Sequence, residues 1–214
     1  MRTHVSSACG MSAVLRRDPA SRQQIQIHHG DDPARLEVED FIRRVYAARY
    51  GAQINSFAPV LVSLRDDNGI TAAAGYRAAS RGPLFLERYL KAPIESLLST
   101  QADAPSTRDD IVEVGHLAAA WPGEGRRLIY LLAPELTSQG FRWVASTLTK
   151  ELRHLFIRIG ITPLALGTAN RSALGSDIGQ WGSYFEHCPV VLAGHLPRAL
   201  AQLARRSLSA EIPT

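Results

Sequence analysis

Residues 111–149 constrain the fold more than any other part of the chain. A run of apolar residues typical of a β-strand leads into the turn Pro122-Gly123-Glu124-Gly125, and a helical pattern follows as far as Gly140. Its predicted buried face is broad and comprises Leu128, Ile129, Leu131, Leu132 and Leu136. A second β-rich run begins at Trp143. Because a helix that crosses between neighbouring strands favours parallel pairing, the segment predicts a βαβ unit.

The glycine turn between the first strand and the helix carries a functional signal. The first N–H groups of a helix have no partners within it, and the helix dipole favours negative charge beside them. Gly123 and Gly125 let the main chain approach a phosphate closely, and Arg126 and Arg127 add positive charge. The pattern therefore indicates a phosphate-binding turn. The alternative is a plain surface turn with two solvated arginines.

Periodic patterns on either side of this unit predict the other elements. Residues 24–28 alternate like a half-buried strand, and Asp31 or Asp32 is placed to cap a helix that carries apolar residues from Leu36 to Tyr46. Tyr46 and Tyr50 read as core or edge aromatics. The remaining predictions are hairpin strands at 57–64 and 70–77, short helices at 84–90 and 92–95, a surface loop at 101–110, a helix at 150–160, strands at 163–166 and 189–193, and a loop or short helix at 170–182.

This order of elements predicts one α/β (α+β) domain with a mixed sheet. A mostly antiparallel sheet would contain the parallel βαβ centre and carry helices on both faces. We place the domain at residues 24–200, with a disordered tail at 1–23 and an arginine-bearing, partly helical tail at 201–214.

Composition narrows the classes of function. The chain has 214 residues, is 45% hydrophobic and has a net charge of +4, which suits a nucleotide, coenzyme or acidic carrier and is too small to indicate nucleic acid. Cys9 and Cys188 form no disulfide framework, so a reduced cytoplasmic setting is expected. We expect no integral membrane segment, because no apolar run is long enough. No residue spacing indicates a metal site, and no Ser/His/Asp order indicates a hydrolase.

Five phrases in the chain carry a resemblance to a known family. They are Gly75-Tyr76-Arg77, Leu84-Phe85-Leu86-Glu87-Arg88-Tyr89-Leu90, Pro93-Ile94-Glu95, Ile111-Val112-Glu113-Val114-Gly115 and Trp181-Gly182-Ser183-Tyr184. They resemble the thermostable hemolysin family, whose members look like relatives of acyl-homoserine-lactone (autoinducer) synthases and share the GNAT acyltransferase fold. Asparagine is usual in that family where this chain has His116. The GNAT superfamily binds the pyrophosphate of acyl-coenzyme A with Gln/Arg-x-x-Gly-x-Gly/Ala, and this chain has both glycines but Ala120 at the first position.

The resemblance implies a GNAT-like fold and roles for three residues. In the synthases a Glu-x-x-Arg on the fourth strand and an arginine on the third place the amino substrate and the acyl donor. By position Glu113 matches the glutamate, Arg77 matches the third-strand arginine, and His116 replaces the second arginine. This replacement argues against S-adenosylmethionine as the substrate.

The chemistry of amide formation gives these residues candidate catalytic roles. An amine that attacks a thioester must lose a proton, and the oxyanion that forms needs support. Glu113 in an apolar strand would have a raised pKa and act as a base, or else be a buried partner of Arg77 or His116. His116 can titrate near neutral pH or be a structural strand-end residue. Arg77 can bind a carboxylate or phosphate, or pair with Glu113.

Five further residues are predicted to bind substrate. Glu87 and Glu95 lie on a segment that would cover the acceptor pocket; the alternative is a solvated helix face. Trp181 and Tyr184 would line an acyl tunnel; the alternative is plain core. Tyr76, from the phrase Gly75-Tyr76-Arg77, is the fifth residue. We predict no metal and no tightly bound cofactor, with acyl-CoA or acyl carrier protein as the co-substrate.

The sequence therefore predicts an N-acyltransferase that moves an acyl group to a small amine or amino-acid-like acceptor. One alternative is a cytolysin that acts on membranes directly or through a lipid product. The other is a GNAT-like protein that binds an acyl carrier without catalysis. The acyl chain, the acceptor and the oligomeric state do not follow from the sequence.

Overall fold

A computed structural model describes residues 24–102 and 105–210, with the side chains of residues 206–210 left out. The tail predicted at residues 1–23 lies outside the described residues. The strands are β1 (Ile25–His28), β2 (Val60–Asp66), β3 (Gly69–Ala78), β4 (Ile111–Ala119), β5 (Trp143–Leu148), β6 (Leu164–Thr168) and β7 (Val190–His195). The α-helices are α1 (Arg35–Tyr50), α2 (Ile94–Gln101), α3 (Glu124–Ser138), α4 (Lys150–Arg158) and α5 (Leu196–Ala210). Five 3₁₀ segments lie at Ala79–Arg81, Phe85–Tyr89, Arg108–Asp110, Arg171–Trp181 and Tyr184–His187.

The strands form one sheet in the order β1-β2-β3-β4-β5-β7-β6. β4 and β5 pair in parallel, and the other neighbouring strands pair antiparallel. The crossover from β4 through α3 to β5 is the βαβ unit that the sequence predicts. The predicted mixed sheet is therefore confirmed.

Alternation along the strands divides the core between the two faces of the sheet. On one side, the α1 face, Leu61 of β2 and Ala73 of β3 pack against Val38 and Ile42 of α1. On the other side, the α3 face, Val62, Leu64, Ala72, Ala74 and Val112 pack against α3 and α5. The fully buried Val, Leu and Ile side chains each contribute roughly 1.5–3 kcal/mol, so both layers stabilise the sheet.

Four predicted details differ from the structure. Ala34, not Asp31 or Asp32, is the N-cap of α1, because the Asp32 carboxylate is engaged before the helix begins: it binds His28 and accepts the N–H of Ala34, two residues further along the chain. Leu131 is 39% exposed, so the buried face of α3 is narrower than predicted. β2 begins at Val60, which leaves Phe57 in an irregular segment.

The fourth difference concerns the C-terminus. α5 runs from Leu196 to Ala210, so the predicted boundary between domain and tail at residue 200 falls inside a helix. Leu196, Ala199 and Leu203 of this helix are buried, which ties it to the domain. None of the helices in residues 24–102 and 105–210 combines the length and the apolar character that crossing a bilayer requires.

Candidate active site

His116 lies at a β-bulge in the middle of β4. Ala73 pairs with Ala118 and Gly75 pairs with Gly115, so β4 has one residue more than β3 between these two pairs. The main chain of His116 has a φ of +53°, in the left-handed region. A residue other than glycine keeps this conformation only where the surrounding structure imposes it, and such features cluster beside active sites. The bulge therefore indicates that this part of β4 is a candidate active site.

β4 and β5 separate beside the bulge. They pair at three positions, the last being Glu113 with Ala145, although both strands continue further. A cavity of about 170 Å³ lies between the separated strands and is lined by residues of both faces of the sheet. Main-chain N–H and C=O groups on these strand edges have no partner strand across the cavity, so a bound ligand can pair with them.

Aromatic residues line the cavity on the α1 face. Tyr50 and Tyr184 meet edge to face with 5.2 Å between ring centroids, and Phe85 lies 5.6 Å from Trp181. We call this region the aromatic chamber; it consists of Tyr46, Tyr50, Phe57, Phe85, Tyr89, Trp181 and Tyr184. Two of its members, Trp181 and Tyr184, are residues that the sequence predicts to bind substrate.

A close main-chain contact holds Trp181 and Tyr184 in the chamber. Ser183 donates its N–H to the Tyr50 carbonyl at 2.8 Å, at the C-terminal end of α1. The Tyr184 hydroxyl donates to the Thr147 carbonyl of β5 at 3.1 Å. Gly182 has a φ of +50°, and a Cβ there would overlap the Tyr50 carbonyl group. Only glycine therefore fits at the centre of this contact.

Aliphatic residues line the cavity on the α3 face. They come from α3, β5, β7 and α5, and we call this region the aliphatic pocket; it consists of Leu128, Leu132, Leu136, Val144, Leu192 and Leu196. The cavity thus has an aromatic end that carries polar groups and an aliphatic end. A ligand with one polar and one hydrocarbon part matches this division.

Both oxygens of the buried Glu113 carboxylate accept main-chain N–H groups. Oε2 accepts from Phe85 at 2.7 Å, and Oε1 accepts from Leu86 at 3.0 Å. Burial raises the pKa of Glu113, whereas these hydrogen bonds and the charge of Arg77 act in the opposite direction. The carboxylate therefore holds the Phe85–Tyr89 segment against β4. Each oxygen keeps a second lone pair with which it can accept another hydrogen bond.

His116 is neutral at physiological pH. Burial lowers its pKa to about 4, helped by the charges of Arg77 and Arg35 and opposed by a main-chain hydrogen bond with Ser56. Its Nδ1 atom is sealed from solvent and has no hydrogen-bond partner. A buried polar atom without a partner costs roughly 1–3 kcal/mol. A ligand that reaches Nδ1 and donates a hydrogen bond to it would remove that cost.

Arg77 lines the cavity beside these two residues. It is the register partner of Glu113 on β3, but its Nη1 donates to the Pro83 carbonyl at 3.4 Å. Within the described chain it forms no ion pair with a carboxylate. The guanidinium therefore keeps donors for an anionic group of a ligand.

The glycine turn has the predicted geometry. Gly123 is the N-cap of α3 with a φ of +98°, and the helix begins at Glu124. Glu124 turns inward, where Thr71 Oγ1 donates to its carboxylate at 2.8 Å. Arg126 and Arg127 are exposed at the start of the helix. The Glu124 N–H donates to the Trp121 carbonyl at 3.3 Å, so the N–H groups of Gly125 and Arg126, beside the two cations, are those suited to a phosphate.

Three residues predicted to bind substrate lie outside the cavity. Arg108 Nη1 donates to Glu87 Oε1 and to Glu95 Oε2, both at 2.8 Å, and so holds the two carboxylates at the protein surface. Tyr76 points to the α3 face, where its hydroxyl lies 3.4 Å from Gln139 Oε1. Their binding roles remain predictions, without support from this geometry.

The structure also shows cavity residues that the sequence did not single out as functional. Ser56, Phe57 and Ala58 line the cavity from the irregular segment before β2. Tyr46 and Tyr50 line it from α1. Their spacing of four residues puts both on one helix face, and this spacing is the sequence feature from which a shared role could have been predicted.

A second polar constellation lies away from the cavity. His28 Nδ1 is 2.7 Å from Asp32 Oδ2, and His28 Nε2 is 2.9 Å from Ser63 Oγ. This is the arrangement of a hydrolase triad, but Ser63 is fully buried and His28 is 2% exposed. No substrate reaches the hydroxyl, so we interpret the group as a structural link between β1, β2 and the start of α1. The described residues contain no cluster of three or more His, Cys, Asp or Glu side chains suited to a metal.

Comparisons with known proteins agree with this architecture. The family model described as thermostable hemolysin matches residues 28–200. No curated protein matches the chain. Among solved structures, TofI in a ternary complex with an inhibitor and MTA is 20% identical, covering 85% of this chain and 96% of its own, with a TM-score of 0.55.

Two further solved structures share the fold. The AHL synthase LasI is 14% identical over 82% of this chain and 91% of its own, with a TM-score of 0.56. FeeM, described as an N-acyl amino acid synthase from uncultured soil microbes, is 12% identical over 88% of this chain and 98% of its own, with a TM-score of 0.60. These likenesses confirm the predicted GNAT-like fold.

Proposed function

We propose that this chain, which belongs to the thermostable hemolysin family, is an N-acyltransferase that moves an acyl group from a thioester to an amine. The observation that carries the proposal is the cavity that crosses the sheet between β4 and β5 beside the His116 bulge. It gives a thioester and an amine a shared, water-poor space with main-chain hydrogen-bond donors on its wall. The family match and the likeness to acyl-transferring synthases support it.

The donor belongs at the glycine turn and in the aliphatic pocket. The N–H groups at the start of α3, together with Arg126 and Arg127, suit the phosphates of coenzyme A or the phosphopantetheine of an acyl carrier protein. The acyl chain would lie among Leu128, Leu132 and Leu136. A cavity of roughly 150 Å³ holds a benzene molecule, and the 170 Å³ here is the volume of both ends together, so side chains must move for the acyl chain and the acceptor to bind at once.

The acceptor amine belongs on the α1 face, next to His116. Its nitrogen attacks the thioester carbon, a C–N bond forms and the C–S bond breaks. One N–H proton passes through His116 or Glu113 to the departing thiolate, so the products are an amide and a free thiol. Unpaired N–H groups of β4 at the bulge would support the oxyanion.

Two alternatives remain outcomes of the test. A direct cytolysin would disrupt membranes without a thioester, and a non-catalytic carrier-binding protein would bind the donor without turning it over. A reaction that uses an acyl thioester supports the cytoplasmic setting expected from the sequence.

The decisive experiment measures thiol release. The purified protein is mixed with hexanoyl-CoA, hexadecanoyl-CoA or an acyl carrier protein that bears the same chains, with and without a mixture of amines. Native mass spectrometry follows donor binding in parallel. We expect amine-dependent thiol release and an amide product. Donor binding without release would favour the carrier-binding alternative. Leakage of liposomes by protein that neither binds nor cleaves any donor would favour the cytolysin.

A Glu113→Gln substitution separates two roles of this residue. The amide can accept only one of the two N–H bonds from Phe85 and Leu86, so some movement of this segment is expected, and tryptophan fluorescence from Trp181 reports it. If Glu113 is the base, kcat falls about 100-fold even with fluorescence unchanged. Retained kcat with altered fluorescence would make Glu113 a positioning residue. Glu186→Gln, at an exposed carboxylate, is the matched control.

A further inference from the structure

Several arginines lie around the aromatic chamber. Arg77 lines the cavity without a carboxylate partner in the described chain. Arg43 lies 4.8 Å from the centroid of Phe57, and Arg88 lies 4.2 Å from that of Phe85. These two arginines are ion-paired with carboxylates, whereas Arg77, the arginine that lines the cavity itself, has no such partner in the described chain.

A cationic ligand finds little to bind in this chamber. Aromatic rings attract cations through their faces, but Phe57, Phe85 and Tyr50 each already have a guanidinium over the ring. Glu113 is the carboxylate that lines the cavity, and the N–H groups of Phe85 and Leu86 and the charge of Arg77 already offset its negative charge. Arg77, which lines the same cavity, would repel a second positive charge there.

An anionic group and a large apolar group find much better partners. Arg77 offers a guanidinium fork to a carboxylate. The rings of Trp181, Tyr184 and Phe85 offer apolar surface, and the hydroxyl groups of Tyr46 and Tyr89 have no hydrogen-bond partner among the described residues. A side chain that is apolar, with or without one polar tip, therefore matches this end of the cavity.

We propose that the acceptor is an α-amino acid with a bulky apolar or aromatic side chain, whose carboxylate pairs with Arg77 and whose side chain enters the aromatic chamber. The amino group then lies towards His116 at the β4 bulge. This inference rests on the proposed acyltransferase function and names its acceptor class.

The reaction balances with these two substrates. The neutral amino group attacks the thioester carbon and forms the C–N bond as the C–S bond breaks. One amine proton ends on the thiolate, and the carboxylate of the amino acid remains ionised throughout. The products are an N-acyl amino acid and a free thiol, and no other reactant is needed.

The test compares acceptors that differ in one group. Phenylalanine and leucine are compared with phenylalaninamide and 2-phenylethylamine, which lack the carboxylate, and with lysine and S-adenosylmethionine, which carry an additional positive charge. Thiol release gives kcat/KM, and mass spectrometry identifies the amide. We expect phenylalanine and leucine to exceed the carboxylate-free and cationic amines by at least about tenfold.

Variants of Arg77 test the contact that sets this preference. Arg77→Met is expected to lower the kcat/KM ratio of phenylalanine over 2-phenylethylamine about tenfold, and Arg77→Lys to restore part of it. Arg81→Met, at an exposed arginine in the neighbouring 3₁₀ segment, should leave the ratio unchanged. Quenching of tryptophan fluorescence by phenylalanine gives binding without turnover, and circular dichroism verifies the fold of each variant.

The outcomes distinguish this inference from the proposed function. Equal or faster thiol release with a cationic or carboxylate-free amine overturns the inference and leaves the acyltransferase standing. An unchanged ratio in folded Arg77→Met also overturns it. Absence of amine-dependent thiol release with every donor overturns the acyltransferase, and the inference falls with it.

Discussion

The main chain of Gly182 lies against the carbonyl group of Tyr50, so closely that no side chain fits between them. Ser183 donates its N–H to the same carbonyl, and Gln53 donates to Gln180 at 2.6 Å. The C-terminal end of α1 is thereby joined to a segment more than a hundred residues later in the chain. This junction fixes Trp181 and Tyr184 on one side of the aromatic chamber and Tyr50 on the other.

A Gly182→Ala substitution is expected to open this junction. The methyl group meets the Tyr50 carbonyl, and alanine is strained at a φ of +50°, so we expect a loss of roughly 2–5 kcal/mol in the free energy of unfolding. Urea unfolding measures it. Gly179→Ala in the same segment has open space around its Cβ and should stay within about 0.5 kcal/mol of wild type. Equal effects at both positions would contradict this account.

The depressed pKa of His116 predicts how stability depends on pH. The folded-state pKa is about 4 and the unfolded value is about 6.5, so the unfolded chain binds more protons between these values. The free energy of unfolding therefore falls as pH drops from about 6.5 to 4, by up to about 3 kcal/mol from this residue. The raised pKa of Glu113 works in the opposite direction, since its contribution is lost as pH rises.

Comparison with His116→Asn isolates the histidine contribution. Asparagine tolerates a positive φ better than most residues, so this variant should keep the bulge. Thermal unfolding at several pH values should show wild type losing more stability than the variant on acidification. Parallel curves for the two proteins would mean that His116 titrates normally. His116→Val, which is β-branched, should be destabilised at every pH.

The glycine turn predicts salt-sensitive donor binding. Replacing Arg126 or Arg127 with alanine should raise the Kd for coenzyme A about three- to tenfold, because each arginine adds charge beside the N-terminus of α3. Isothermal titration at two salt concentrations measures the effect, which should shrink at high salt. Arg44→Ala, at an exposed arginine of α1, is the control and should not change the Kd. If Arg44→Ala raised the Kd by the same factor, the effect would come from net charge alone and not from the glycine turn.

The sealed Ser63–His28–Asp32 group predicts a negative result. Ser63→Ala should leave acyl transfer unchanged, because the hydroxyl is fully buried away from the cavity. Its lost hydrogen bond to His28 should lower the free energy of unfolding by about 1 kcal/mol. A serine-directed phosphonate should not label the protein. Labelling at Ser63 would revive a hydrolase interpretation.

Local patterns were sufficient to predict most of the fold. The strand, glycine turn, helix and strand of residues 111–149 follow from apolar spacing, and the structure confirms them. Glu113, His116 and Arg77 do come together at the cavity, because strand pairing places β3 beside β4. Trp181 and Tyr184 join them.

Features that depend on distant contacts did not follow from the sequence. The bulge at His116 arises from the register of β3 against β4, which no local pattern encodes. Glu87 and Glu95 have side chains that could bind a substrate, but both carboxylates accept hydrogen bonds from Arg108, which follows the loop after α2. The role of Phe57 in the cavity depends on where β2 begins, and strand ends are poorly defined by alternation alone.

The division of the cavity by the sheet has an evolutionary consequence. In the proposed reaction the acyl chain and the acceptor occupy opposite faces, served by different helices and loops. Substitutions at Leu132 or Leu136 would alter which thioester is accepted without a change at Trp181 or Tyr184. Substitutions at Trp181 or Tyr184 would likewise alter which acceptor is bound without a change in the aliphatic pocket. Homologues on this scaffold can therefore acquire new combinations of the two substrates by changing one side at a time, with the bulge on β4 retained as the shared reaction centre.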